Sequence, residues 1–183
     1  MSLVVTGNPG VGKHTISKNL ANTLQYDLID INTEAIKSGL FKKTKDALDV
    51  DVSKLKKVLK AKVKKRTLVV GHLAPYVLTK SQISNAIILR RSPYDLISVY
   101  KKRRYSKRKM QENLQAEILG IVAYDTLIKF GRKKCIQIDC TSKSIPQVMH
   151  KIKKALDGNV ESEFVDWLSL VAEKKDLKKF FPN

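Results

Sequence analysis

"TGNPGVGKHT", residues 6–15, places four residues between Gly7 and Gly12 and follows the second glycine with Lys13. That is the spacing of a phosphate-binding loop. Its flanks agree. "SLVVTG" before it is a short β-branched run that reads as a buried strand, and after it Ile16, Leu20 and Leu24 recur at helical spacing. In such a loop, glycines let backbone N–H groups turn inward around a phosphate. The helix N-terminus contributes its positive end, and the lysine adds a mobile charge for the β- and γ-phosphates. The stretch therefore predicts nucleotide binding, and it leaves the reaction type open.

The same alternation continues outward. "YDLIDI" (26–31), "TLVVGH" (67–72), "AIILRR" (86–91) and "CIQIDC" (135–140) read as further strands. Between them, residues 51–65 carry Leu55, Val58, Leu59 and Val63 on one stripe, an amphipathic helix. "SPYDLISVYKKRR" (92–104) opens with a serine cap and a proline at the first helical position. "KMQENLQAEILGIVAYDTLIKF" (109–130) reads as one long helix, and "SIPQVMHKIKKAL" (144–156) as another, ended by Gly158. Strands separated by helices imply parallel pairing with right-handed crossovers. The expected class is α/β, with one doubly wound domain over residues 1–158. Phe164, Trp167, Leu168, Val171 and Ala172 then predict an appended amphipathic helix within 159–183, packed on that domain.

The 183 residues suffice for one sizeable core, and 43% of them are hydrophobic. Thirty-six Lys and Arg against 17 Asp and Glu give a net charge of +19. Such an excess attracts polyanions, unless it merely solvates a lysine-rich surface. Cys135 and Cys140 fall on opposite faces of one strand, poorly placed to pair, which suits a reducing compartment. No run approaches the roughly 18 apolar residues of a membrane span. With "MSLVV" running straight into a strand, the expected location is cytoplasmic, with no membrane partner.

Two positions depart from the usual machinery of phosphate loops. The hydroxyl that follows the lysine and holds Mg²⁺ is replaced by His14. Thr15 keeps a hydroxyl one place later and is the remaining metal candidate; no metal ligand is assigned. The strand expected beside the first one, "TLVVGH", ends in Val70, Gly71 and His72 and offers no acid. Mg²⁺ keeps several waters and leans on substrate phosphates, so a nucleotide could supply most of its ligands. His14 reads either as an altered metal support or as a solvent-facing helix residue. His72 lies just past a buried strand's carboxyl end, where open α/β sheets place their crevice, and would position a water or an acceptor phosphate; a plain loop histidine is the alternative. His150, on the helix over 144–156, reads as structural. "YKKRRYSKRK" (100–109) puts seven basic residues between two helices. Its arginines could close over ATP, or Tyr100 and Tyr105 among them could stack on RNA bases.

Taken together, the loop, "GHLAPY", "ILRRSPYDL" and "RRYSKRKMQENLQAEI" resemble the adenylate kinase isoenzyme 6 family over about residues 1–156. These are small nucleoside-monophosphate-kinase-like ATPases, with archaeal members, linked to maturation of the small ribosomal subunit. The resemblance implies a P-loop kinase core, a parallel five-stranded sheet flanked by helices. It implies ATP on Gly10, Val11, Gly12, Lys13, His14 and Thr15, a monophosphate region over about 30–52, and a lid over about 102–112 whose Arg103 contacts ATP. Lys13, Arg103 and His72 become the catalytic candidates. The implied cofactors are ATP and Mg²⁺, and the implied acceptor is AMP or another nucleoside monophosphate. The implied partners are ribosomal protein uS11 and small-subunit pre-rRNA. Against the family pattern, His14 replaces a Thr/Ser, Val70 an acid and Arg104 a lid glycine, and Asn32-Thr33 replace Gly-Asp. A second reading is a nucleotide-responsive RNA- or ribosomal-protein-binding assembly factor with little turnover. A third is a kinase for another small metabolite or a polynucleotide end.

Overall fold

A computed structural model describes residues 2–43, 48–159 and 161–182. Strand β1 (Ser2–Thr6) leads into α1 (Lys13–Leu24), and β2 (Asp27–Asp30) into α2 (Ile31–Lys37). A hairpin of β3 (Phe41–Lys43) and β4 (Leu48–Val50) precedes α3 (Val52–Lys62), β5 (Thr67–Val70) and the single turn α4 (Ala74–Val77). The second half runs β6 (Ile83–Arg90), α5 (Pro93–Lys102), α6 (Lys107–Ile118), α7 (Ile121–Phe130), β7 (Cys135–Asp139) and α8 (Ile145–Leu156). Two short helices follow, α9 (Trp167–Glu173) and α10 (Leu177–Phe180).

Five strands pair in the order β2-β5-β1-β6-β7, all parallel. β1 is central: Val5 lies opposite Val70 on one side and Ile87 on the other. Helices cover both faces, so the inner strands are apolar throughout rather than alternating. Leu3 and Val5 point into one buried layer with Ile16, Leu20 and Ile138. Val4 points into the other with Leu55, Leu59, Ile88 and Phe130. Full burial of each such side chain stabilises the fold by about 1.5–3 kcal/mol. Because β1 is flanked on both sides, the loop that leaves its carboxyl end is held at the middle of the sheet, beside the crevice such sheets form.

Three expectations change. The long helix over 109–130 is two helices, broken where Gly120 takes φ 65°. That left-handed geometry is one a glycine takes freely, and a Cβ at Gly120 would make only an ordinary 3.4 Å contact with the Arg90 guanidinium. At the end of α6 the Glu117 carbonyl accepts from the Gly120 amide at 3.1 Å and from Arg90 Nη2 at 2.8 Å. The basic tract is not a connection between helices, since only residues 103–106 join α5 to α6. Ser106 caps α6 by accepting from the Lys109 amide, and Arg104 holds φ 53°, the left-handed geometry a glycine takes freely. Finally, the tail is not one helix. Lys175 at φ 57° turns the chain between α9 and α10, and Phe164 stands 90% exposed. Trp167, Val171 and Phe180 are buried in the layer that contains Ile16 and Leu20. Residues 162 and 163 run along β7, where Ser162 Oγ accepts from the Gln137 amide at 2.8 Å and the Glu163 amide donates to the Gln137 carbonyl at 3.1 Å. Residues 160 and 183 of the tail, and 44–47 of the region over 30–52, lie outside the described residues.

Candidate nucleotide site

The loop is built from its backbone outward. Gly12 caps α1 in the left-handed region at φ 100°, and a Cβ there would meet nothing within 4 Å. The loop is therefore open at Gly12, on the side that lines the cleft. Behind it, Tyr100 is fully buried and its hydroxyl donates to the Pro9 carbonyl at 2.6 Å. Its ring stacks on Tyr105 at 5.3 Å and 11°, and Lys109 lies 4.6 Å over the Tyr105 ring. Tyr100 is thus a strut of the loop, and its ring is not presented for stacking on RNA.

Lys13 is 6% exposed, and its ammonium donates to the Asn8 carbonyl at 2.8 Å. Asn8 in turn donates through Nδ2 to Glu117 Oε2 at 2.7 Å. Glu117 is a buried hub on α6. Its Oε1 accepts from Arg90 Nε at 2.8 Å, the Arg91 amide at 3.1 Å and Trp167 Nε1 at 3.1 Å. A buried carboxylate survives only when paired and hydrogen-bonded, and this one is both.

One cleft of about 1170 Å³ gathers most of the sequence-predicted residues: Gly10, Gly12, Lys13, His14, Thr15, His72 and Arg103 line it. Val11 is the exception, its side chain 2% exposed and packed in the core, so only its backbone can face a phosphate. The cleft extends to Asn32, Ile36, Phe41, Asp49 and Val50 on α2 and the hairpin. His14 is not a bare solvent-facing residue, because its Nδ1 lies 2.8 Å from Asp30 Oδ2. Asp30 also caps α2, Oδ1 accepting from the Thr33 amide at 3.0 Å. His150 is exposed on α8, well apart from the loop in sequence and absent from this cleft's lining. Sequence reasoning missed the roles of Asn8, Asp30 and Glu117. The apolar setting of Glu117 beside Leu114 and Ile118 was the available signal.

Burial lowers the Lys13 ammonium to about 8, with Glu117 opposing the shift and Arg103 adding to it. Burial, then the Lys13 charge, pushes His72 down to about 4, so this imidazole is neutral at physiological pH. The lysine value sets a pH dependence. A bound polyphosphate favours charged Lys13, so binding is unimpeded below about 8 and must draw in a proton above it. Affinity for a nucleotide is therefore expected to fall up to about tenfold per pH unit above 8, since one pKa unit corresponds to about 1.4 kcal/mol. Calorimetry in buffers of different ionisation enthalpy would read the accompanying proton uptake; a flat profile from pH 7 to 10 would refute the assignment.

The residues present fit a nucleotide polyphosphate, because the loop is open, amide-lined and backed by a lysine. They do not supply the two side-chain oxygens by which phosphate-loop proteins usually hold Mg²⁺. The hydroxyl position holds His14, and Val70 at the neighbouring strand end is apolar and buried. Among the described residues no group of three His, Cys, Asp or Glu side chains could hold a metal ion, and no helix is long and apolar enough to cross a membrane.

Residues 3–120 match the family described as "AAA domain". Over 170 residues the chain is 31% identical to "Putative adenylate kinase" of Thermococcus onnurineus (strain NA1), covering 91% of each chain. It is 30% identical over 176 residues to the protein of the same name in Thermococcus kodakarensis, covering 94% of this chain and 96% of the other. A third, from Saccharolobus solfataricus, is 30% identical over 165 residues, covering 88% and 87%. Among solved structures, shikimate kinase from Aquifex aeolicus superposes with TM-score 0.53 at 18% identity, over 87% of this chain and 98% of that one. That likeness shows the fold, a P-loop kinase α/β sheet. By the match over residues 3–120 and by relatives alike along most of its length, the chain belongs to the AAA-domain family, in the company of the proteins named "Putative adenylate kinase".

Proposed function

We propose that the cleft transfers the γ-phosphoryl group of ATP to AMP or another nucleoside monophosphate. The observation that carries this is the reach of one cleft, about 1170 Å³, from the loop and Lys13 to the β3–β4 hairpin. Pockets for one small ligand run to about 300–1,000 Å³, so the space suits a donor on the loop with an acceptor beyond it. Phosphoryl transfer needs positioning and charge neutralisation more than covalent help. Lys13 supplies a fixed charge at the donor phosphates. Arg103, exposed at the start of the α5–α6 connection, supplies a movable one from the lid side. An acceptor phosphate arrives already anionic and needs no general base. His72, neutral, orients a water or the acceptor through a hydrogen bond. No step is assigned to Mg²⁺.

A second role is favoured by the charge of +19 and by the run of exposed cations Lys101–Arg104 at the cleft's rim. In this reading nucleotide occupancy governs attachment to an anionic partner in small-subunit maturation, the pre-rRNA with ribosomal protein uS11, in the cytoplasm. It rests on family resemblance together with that charge. Binding through many phosphates must weaken steeply with salt.

ATP consumption with and without AMP separates the two. The kinase reading expects ATP and AMP to be consumed one for one, with two ADP formed for each AMP. ATP loss that ignores AMP, or no loss at all, sinks it and leaves the assembly-factor reading. That reading in turn fails if affinity for rRNA is unchanged by nucleotide.

A further inference from the structure

The residue after the loop lysine is where phosphate-loop proteins place the hydroxyl that ligates the nucleotide's metal ion. Here that position carries an imidazole with its own second partner. His14 Nδ1 lies 2.8 Å from Asp30 Oδ2, with the histidine side chain 58% exposed and the aspartate 20%. A carboxylate can only accept, so Nδ1 carries the proton, and in the neutral ring the lone pair falls on Nε2. That nitrogen has no hydrogen-bond partner among the described residues, and the side chain lines the cleft together with Gly12, Lys13 and Thr15. A histidine whose far nitrogen is held by a carboxylate is the arrangement that orients imidazole as a metal ligand and raises its basicity. Asp30 is itself fixed, because its other oxygen caps α2 through the Thr33 amide.

From this, and resting on the nucleotide-binding reading above, we propose that His14 Nε2 ligates the nucleotide's divalent ion. The chain would then take its nucleotide with Mn²⁺ or a later first-row dication in preference to Mg²⁺. Mg²⁺ is a hard cation served by oxygen, whereas imidazole suits Fe, Ni, Cu and Zn best, with affinity at a nitrogen-containing site rising along the first row from Mn²⁺. The two positions where phosphate-loop proteins usually place an oxygen donor do not supply one. Val70 has no side-chain oxygen and is buried, and Thr15 stands on the helix one residue past the usual position. The lost hydroxyl and the lost acid are then one change rather than two defects: the metal's protein support has moved from oxygen to nitrogen.

The test uses the full chain with β,γ-methylene ATP, which has no nitrogen in its phosphate chain, saturated with Mg²⁺ or with Mn²⁺. The Mn²⁺ complex is expected to bind about tenfold tighter than the Mg²⁺ complex. Pulsed EPR of the bound Mn²⁺ should show coupling to an imidazole nitrogen. His14→Thr, at an exposed site where the fold can be verified by its melting curve, should erase both the preference and the nitrogen signal. Asp30→Asn keeps a helix-capping side chain and should weaken Mn²⁺-nucleotide binding about tenfold. Equal affinities with no nitrogen coupling would overturn the metal assignment while leaving nucleotide binding intact. Failure to bind either complex would overturn the nucleotide reading and this inference together.

Discussion

Replacing Lys13 with alanine is expected to lower phosphoryl transfer roughly 10²–10³-fold, the usual cost of one preorganised charge at a reacting phosphate. The side chain is packed away from water and tied to the Asn8 carbonyl at 2.8 Å, so its charge acts through little solvent. The same burial already weakens its hold on the proton. Removing it relieves that unfavourable desolvation, so the variant should be as stable as the parent or slightly more so. Opposite signs in the two measurements identify a functional lysine. A variant that loses activity only because it unfolds would show them falling together. Steady-state rates at saturating ATP and AMP, beside a thermal melt, decide the matter; near-normal turnover would rule out the mechanism above.

Glu117→Ala should be the most damaging single change to stability, at about 3–5 kcal/mol, as when one partner is removed from a buried ion pair. Arg90 is 3% exposed and would be left charged without its partner. Asn8 Nδ2, the Arg91 amide and the Trp167 indole would lose their acceptor in the same step. For a chain of this length that corresponds to a fall in Tm of about 10 °C or more. Glu117→Gln keeps one acceptor oxygen and the shape, and should cost clearly less. The Arg90→Leu/Glu117→Leu pair should cost less than the two single changes summed, because it leaves no stranded charge. Strict additivity would show that the two side chains do not depend on one another.

What could be read in advance follows from how far each determinant reaches along the chain. The strands announced themselves because a sheet covered on both faces demands unbroken apolar runs such as "TLVV" and "AIILR", and the phosphate loop because its glycines, lysine and helix start are contiguous. The helix break at Gly120 was not legible. One glycine in a periodic stretch is compatible with helix, and the guanidinium that binds the end of α6 belongs to Arg90 on another element. The β3–β4 hairpin was missed because its strands are three residues each and carry no sustained apolar alternation. At the cleft, the lining residues next to the loop were named, whereas those holding them were not. Asn8 and Glu117 are 109 positions apart, and nothing local links His14 to Asp30 until β2 has packed beside β5.

The Asn8–Glu117 bond also has a bearing on the order of synthesis. The phosphate loop is synthesised well before its brace, since the side-chain acceptor of Asn8 is made 109 residues later. At 5–20 residues per second that interval is on the order of ten seconds. The indole that completes the set around Glu117 follows a further 50 residues on. Throughout that time a nascent chain carries a recognisable phosphate-loop sequence without its finished brace, and full nucleotide affinity should arrive only once Trp167 has emerged and packed.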